Sequence, residues 1–393
     1  MFGVTMKSIF KTAIIVATSL ILVACGGGGG GGGSAGTTPA APTISTVMSI
    51  GNHTNQVANY AAGDLNGDGL EDVVVSGWNS DVATAYIYIM IQNADGTLTD
   101  KTSQLLANNV VSGSQRILIG DFDADGHMDI FIPGFADGTR IYGEHSVMFW
   151  GASGQYVRDD WSDVNSAHGA CVADMNNDGK PDLLVGGGSA NDNAVGGVYI
   201  NNGNRHFTLN NTVLADNDFA ACAVVKTNSE NIIYFAGVNY AAGYRDAITT
   251  FDFSLNITST VGMQNDNTMD TIDVVVADLD GNGQKDFVVS IDGVNVPDAG
   301  PRKIITTAGA ILSTLETKRS MYFGRTLSNT SVFFSGDTNN ASVFQGLTKY
   351  KASSFTDMAS SSQSFIDAFV YQNAQGKLYM LELLNGVYKT REM

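Results

Sequence analysis

Asp121-Phe122-Asp123-Ala124-Asp125-Gly126-His127-Met128-Asp129, running straight into Ile130-Phe131-Ile132, is the stretch whose reading decides the fold. Its carboxylates stand at loop positions one, three, five and nine, and a glycine at position six lets the backbone turn sharply so that they converge. An all-oxygen cage of this kind suits a hard cation. Calcium fits best, because it takes six to eight oxygens in flexible geometry, with the position-seven main-chain carbonyl among them. The same figure returns three times, as Asp64-Leu65-Asn66-Gly67-Asp68-Gly69-Leu70-Glu71-Asp72, Asp174-Met175-Asn176-Asn177-Asp178-Gly179-Lys180-Pro181-Asp182 and Asp278-Leu279-Asp280-Gly281-Asn282-Gly283-Gln284-Lys285-Asp286. Four loops with one grammar are a repeat.

The expected ligands are Asp64, Asn66, Asp68, Leu70 and Asp72 in loop one, and Asp121, Asp123, Asp125, His127 and Asp129 in loop two. Loop three offers Asp174, Asn176, Asp178, Lys180 and Asp182, and loop four Asp278, Asp280, Asn282, Gln284 and Asp286, giving up to four calcium sites. Leu70, His127, Lys180 and Gln284 would act through their carbonyls. In a second reading the aspartates only cap turns by accepting backbone N–H bonds; it weighs most on loop four, where Asn282 replaces the position-five carboxylate. An EF-hand would need a glutamate at position twelve and a helix after the loop. Val75, Ile132, Val185 and Val289 stand there instead, inside β-rich runs.

Spacing turns the loops into an architecture. Loop starts at Asp64, Asp121 and Asp174 are 57 and 53 residues apart, and Asp278 follows 104 later, two periods of 52. The missing copy is Ala220-Ala221-Cys222-Ala223-Val224-Val225 with Asn231-Ile232-Ile233-Tyr234-Phe235, whose intervening loop has lost its aspartates. Weaker copies follow at Met321 to Gly336 and Ala368 to Leu383, also with empty loops. Each full unit reads as strand A, loop, strand B, a variable segment, strand C, a tight hairpin such as Ala94-Asp95-Gly96, and strand D. Four-stranded units at a pitch near fifty predict an all-β propeller of seven blades, with six or eight also compatible. The last unit runs out after three strands. Thr43-Ile44-Ser45-Thr46-Val47-Met48-Ser49-Ile50 is expected to complete it and latch the ring.

Composition agrees. Acidic residues outnumber basic ones 39 to 21 in 393 residues, which argues against nucleic acid, since a phosphate binder needs a basic face. Thirteen of those acids are the loop aspartates, so much of the formal charge of -18 is ligand field. At the start, Lys7 and Lys11 precede an apolar core from Ala13 to Val23 that ends in Leu22-Val23-Ala24-Cys25. This resembles a bacterial lipoprotein signal peptide over residues 1–24, with lipid attachment expected at Cys25. Residues 25–42, rich in glycine from Gly26 to Gly33, read as a flexible tether, and 43–393 as the propeller. Gly26 after the cysteine implies, by the same resemblance, an outer-membrane destination.

The loops and their pitch resemble the FG-GAP and VCBS-type repeats, the calcium-loop propellers also found in integrin α-chain heads. The specific part is Gly63-Asp64-Leu65-Asn66-Gly67-Asp68-Gly69-Leu70-Glu71-Asp72 and its siblings. The resemblance implies calcium between strands A and B, on the face opposite the one that binds partners; it implies no single activity.

Catalytic signals are sparse. His53, His127, His145, His168 and His206 are scattered without metal-ligand spacing, and no nucleophile elbow or phosphate loop occurs. Asp159-Asp160 before Trp161 reads as a solvated surface-loop pair. An enclosed cation cage leaves no position for a substrate, so the calcium is expected to be structural. Cys171 and Cys222 occupy equivalent places in neighbouring inner strands, and the expectation is two buried thiols, because a bridge needs Cα atoms within about 7 Å. Partner contacts are expected on the B–C segments, at Trp78, Phe135, Asn191, Tyr240, Tyr244, Asn295 and Asn339, where aromatics among Asn and Asp can stack on a sugar or anchor a protein. The functional reading is a non-enzymatic envelope lipoprotein that recognises a protein or carbohydrate. The alternatives are a periplasmic scaffold or assembly subunit and, less favoured, an enzyme such as a polysaccharide lyase.

Overall fold

Short β-rich runs bounded by Gly, Asn and Asp clusters become antiparallel strands and little else. In a computed structural model the described residues are 44–50, 57–78, 85–111, 116–134, 144–165, 167, 169–186, 196–210, 217–226, 231–239, 244–252, 257–264, 270–278, 286–292, 303–306, 311–314, 321–328, 331–336, 346–351, 354–360, 367–384 and 387–393. The expected signal peptide and tether, with Cys25, lie outside them.

After β1 (Ile44–Ser49), the first sheet is built in chain order from β2 (Val57–Gly63), β3 (Asp72–Trp78), β4 (Ala85–Gln92) and β5 (Leu98–Asp100). A four-residue helix α1 (Thr102–Leu105) follows, and β6 (Val110–Val111) pairs with the start of β4. The second sheet takes β7 (Leu118–Gly120), β8 (Asp129–Ile132), β9 (Glu144–Trp150) and β10 (Val157–Asn165). The third takes β11 (Ala170–Ala173), β12 (Asp182–Val185), β13 (Gly197–Asn201) and β14 (Phe207–Asn210). The fourth copy, whose loop sequence lacks the aspartates, forms a full sheet, β15 (Asn217–Lys226), β16 (Asn231–Asn239), β17 (Tyr244–Asp252) and β18 (Ile257–Gln264). Next come β19 (Asp270–Ala277), β20 (Asp286–Asp292), β21 (Lys303–Thr306) and β22 (Ile311–Thr314), then β23 (Met321–Ser328), β24 (Ser331–Gly336), β25 (Gly346–Lys351) and β26 (Ser354–Ser360).

The last sheet has the order β27 (Asp367–Gln372), β28 (Leu378–Leu384), β29 (Val387–Glu392), β1. The expected latch is therefore present: Ile44 pairs with Arg391 and Ser49 with Val387, the two ends of the described chain hydrogen-bonded into one sheet.

The first strands of successive sheets lie side by side, β2 by β7, β7 by β11, β11 by β15, β15 by β19 and β19 by β23, while β27 lies beside both β2 and β24. This is a propeller-like arrangement. It explains the apolar runs, because alternate residues of one strand serve two seams. Val73 and Val75 face Tyr371, Leu381 and Leu383 of the last sheet, whereas Val74 joins Ile130, Ile132 and Phe149 of the second. Phe131 and Trp150 then meet Leu183, Val185 and Tyr199 of the third sheet, whose Leu184 and Val198 meet Ile233 and Phe251 of the fourth. Val73, Val74, Ile130, Phe131, Leu183 and Leu184 are completely buried. At about 1.5–3 kcal/mol for each such side chain, these seams are the main cohesive element.

Two expectations are corrected. Cys171 of β11 and Cys222 of β15 are not two buried thiols; they are joined as a disulfide, with Cα atoms 5.9 Å apart. Adjacent first strands approach closely enough there to meet the geometric requirement. Asp159 and Asp160 lie within β10, not on a loop, and both are engaged: Trp150 Nε1 donates to Asp159 at 3.2 Å, and Arg158 pairs with Asp160 at 2.6 Å.

Candidate metal-binding loops and the seams that carry them

Each of the first three loops joins a first strand to a second strand, and each is shaped by the same bonds. The position-one carboxylate collects backbone N–H groups from across its loop. Asp64 accepts from Gly67, Asp68 and Gly69 at 2.8–3.0 Å. Asp121 accepts from Asp125 and Gly126 at 3.0 and 3.1 Å, and Asp174 from Asp178 and Gly179 at the same two distances. Position three caps position five: Asn66, Asp123 and Asn176 accept from the N–H groups of Asp68, Asp125 and Asp178. Position five caps position seven, at Leu70, His127 and Lys180.

Position nine is the deep anchor. Asp72, Asp129 and Asp182 are completely buried at the start of the second strand. One oxygen of each accepts the position-two N–H, from Leu65 at 2.9 Å, Phe122 at 2.7 Å and Met175 at 2.7 Å. The other accepts an N–H at the end of the third strand, from Gln92 at 2.8 Å, Gly151 at 2.6 Å and Asn201 at 2.7 Å. This aspartate thus ties loop, second strand and third strand together. Burial pushes Asp72 up to about 6 and Asp129 up to about 7 against the lowering effect of those N–H bonds, with neighbouring loop carboxylates adding to the rise. Asp182 is raised for the same reason.

Backbone shape demands more than the position-six glycines, Gly69, Gly126 and Gly179. Position four is also left-handed, with φ of 79° at Gly67, 60° at Ala124 and 57° at Asn177. A side chain there costs about 1 kcal/mol or more.

Oxygens of Asp121, Asp123 and Asp129 lie within 4.8 Å of one another, a donor set that could hold a metal ion. Carboxylate oxygens are hard donors, and each carries a second lone pair beyond the one its N–H bond uses. Asp286 begins β20 and Asp278 immediately follows β19, but Asp280, Asn282 and Gln284 lie outside the described residues. So do Phe135, Asn191, Tyr240, Asn295 and Asn339 of the expected partner face, while Trp78 ends β3 and Tyr244 begins β17, at strand termini rather than in the intervening segments.

Sequence reasoning missed the groups that close the seams. The residue whose N–H caps position nine also projects toward the preceding sheet. Gln92 donates to the carbonyls of Glu71 and Gln372 at 2.8 and 3.0 Å, joining the first sheet to the last. Asn201 donates to the carbonyls of Phe122 and Pro181 at 2.6 and 3.0 Å, joining the third sheet to loop two. Gly151 has no side chain to offer, and a Cβ there would meet the Met128 carbonyl at 2.5 Å. Beside it lies a cavity of about 390 Å³ lined by Leu65, Asn66, Lys101, His127, Gly154 and Tyr156, among others. Lys180 Nζ pairs with Asp178 at 2.9 Å in loop three. In loop two the cation comes from another sheet: Arg205 Nε donates to Asp123 Oδ2 at 2.7 Å.

With this geometry in view, residues 64–132, which contain loops one and two, match the model of the FG-GAP-like repeat. That stretch is an FG-GAP-type repeat. No curated protein sequence matches the chain. Among solved structures, BBS1N in complex with ARL6DN is 11–12% identical, covering 72% of this chain and 93% of its own, with TM-scores of 0.38 and 0.39 in two crystals. An exo-beta-1,3-galactanase from Phanerochaete chrysosporium with beta-1,3-galactotriose is 9% identical, covering 86% of this chain and 78% of its own, at a TM-score of 0.39.

Proposed function

We propose that the chain is a seven-bladed, calcium-stabilised propeller, lipid-anchored through Cys25 in a bacterial envelope, that recognises a protein or carbohydrate partner without catalysing a reaction. The observation that carries the reading is the recurrence of one carboxylate network in three loops, each anchored by a buried position-nine aspartate at a seam. Convergent hard oxygens favour calcium over softer-ligand metals. The N–H bonds would hold each loop in shape while the remaining lone pairs bind the ion. Loops of this kind would act as staples, and the proposed recognition surface is the set of segments between second and third strands with the strand ends that flank them, around Trp78, Phe135, Asn191, Tyr240, Tyr244, Asn295 and Asn339.

Extracellular calcium modules bind at roughly 0.1–1 mM, so at about 1 mM calcium each occupied loop adds about 0.4–1.4 kcal/mol to the folded state. The expected outcome is a melting temperature several degrees lower in EGTA than in calcium; superimposable melts would remove the calcium assignment. Protease shaving of intact cells separates a surface receptor, which is cleaved, from a periplasmic scaffold, which is not. Glycan-array binding weakened by Trp78→Ala or Tyr240→Ala would support the assigned face, and equal binding by the variants would discard it.

A further inference from the structure

The hairpin between β13 and β14 breaks a local rule that the other described hairpins keep. Asn93 to Thr97 and Asn373 to Lys377 close in one way: the first N–H donates to the fifth carbonyl, and the fourth N–H to the first. The fourth residue is left-handed and is glycine, Gly96 with φ 88° and Gly376 with φ 75°. Gly154, with φ 93°, holds the corresponding slot after β9. In Asn202-Gly203-Asn204-Arg205-His206 the Asn202 N–H again donates to the fifth carbonyl, but the left-handed fourth residue is Arg205, with φ 63°. Asn204 before it is left-handed too, at φ 54°. L-residues adopt this conformation at a steric cost that glycine avoids.

That conformation aims the Arg205 side chain back at the second sheet. Its Nε lies 2.7 Å from Asp123 Oδ2 and its Nη2 3.9 Å from Asp125 Oδ2. The guanidinium lies 5.0 Å from the ring centroid of buried Trp150, which provides a cation–π platform. The Asp123 side chain is only 7% exposed while Arg205 is 39% exposed, so the carboxylate is sheltered and the guanidinium covers it from the solvent side. The Lys180–Asp178 pair of loop three differs: its partners are two residues apart and each about one-third exposed. Among the described residues no such cation reaches Asp64, Asp68 or Asp72 of loop one.

We propose that Arg205 is a protein-borne counter-cation for loop two: it holds that loop closed when no ion is present and lowers its affinity for a divalent cation below that of loop one. The inference rests on the reading of these loops as cation sites. Two of loop two's three clustered carboxylates, Asp121 and Asp129, keep their geometry without Arg205, while the third, Asp123, is shared with it. A divalent ion entering the cage must displace the guanidinium or sit beside a like charge.

The test is calcium titration calorimetry on metal-stripped protein at low salt, comparing wild type, Arg205→Gly and Arg205→Lys. Glycine occupies this slot in the sister hairpins, so Arg205→Gly should fold. The expected result is that one site tightens about tenfold in Arg205→Gly, the scale of a unit charge a few ångströms from a divalent ion in a largely aqueous screen, while Arg205→Lys stays closer to wild type. Terbium emission on tryptophan excitation assigns the gain to loop two, because Trp150 lies under the guanidinium; the emission should rise in Arg205→Gly. If wild type binds calcium and Arg205→Gly gives the same isotherm and emission, the role of Arg205 is overturned and the calcium reading stands. If no form binds calcium, both fall.

Discussion

The seam between the first and second sheets and the seam between the second and third are assembled from the same parts, yet one is open and the other closed. Both have a carboxylate loop on the earlier sheet, a buried position-nine aspartate, and a hairpin from the later sheet reaching back. At the first of these seams the later sheet contributes Gly151 and Gly154, and a cavity of about 390 Å³ remains beside Asn66 of loop one. At the second it contributes Asn201 and Arg205, which bond to the Phe122 carbonyl and to Asp123. Backbone geometry is shared, and two side chains decide whether a loop faces space or a tethered cation. Repetition therefore preserves the scaffold while each seam acquires its own electrostatics.

The position-nine anchors are where the two seams should behave alike, and they carry the largest effect. Asp72→Ala and Asp129→Ala each remove two bonds to a buried carboxylate, so each is expected to cost about 3 kcal/mol in urea denaturation. A clearly smaller loss in Asp129→Ala would show that Asn201 and Arg205 hold loop two without its anchor, and would break the equivalence.

A second effect comes from pH. Burial raises Asp72 to about 6 and Asp129 to about 7 from an ordinary 3.8. Between about pH 4 and those values the folded protein keeps protons that the unfolded chain releases, so stability falls as pH rises. In chelator the contribution of Asp72 should be lost by about pH 6 and that of Asp129 by about pH 7. Asp129→Asn should remove the upper part of the decline. Asp95, Asp160 and Asp178 are lowered by hydrogen bonds, and their opposite contribution belongs below about pH 4. Stability that climbs steadily from pH 4 to 7 in chelator would contradict burial as the dominant influence.

The smallest effect separates the loops at position four. Ala124→Gly relieves a left-handed alanine and should stabilise by about 1 kcal/mol, while Gly67→Ala introduces the same strain into loop one and should destabilise by a similar amount. Equal and opposite shifts in urea midpoint would show that the two loops share a backbone and differ only in side chains.

What could be read from the chain in advance was whatever is local or periodic. Aspartates at fixed spacing, the pitch near fifty and apolar triplets such as Val73-Val74-Val75 need only neighbouring residues to be interpreted, and the latch followed from counting strands. The Cys171–Cys222 bridge was misjudged because it depends on how closely two first strands approach, which spacing does not state. Arg205 was missed because its partner is 82 residues away in sequence. A signal existed: aligning Asn202–His206 with Asn93–Thr97 and Asn373–Lys377 puts an arginine where both others have glycine. The left-handed position four was likewise hidden, since Ala124 and Asn177 do not advertise it as Gly67 does.

The pairing of β1 with β29 has a consequence in time rather than in space. Ile44 cannot find Arg391 until nearly the whole sequence has emerged, and joining segments so far apart carries a large loop-closure entropy before any contact rewards it. Every other sheet can form from residues close in the chain as they appear. The ring is therefore sealed last, and until then β1 and β29 each present an unpaired edge. Those edges must be shielded from the edges of other copies until closure, or strand exchange between molecules competes with it.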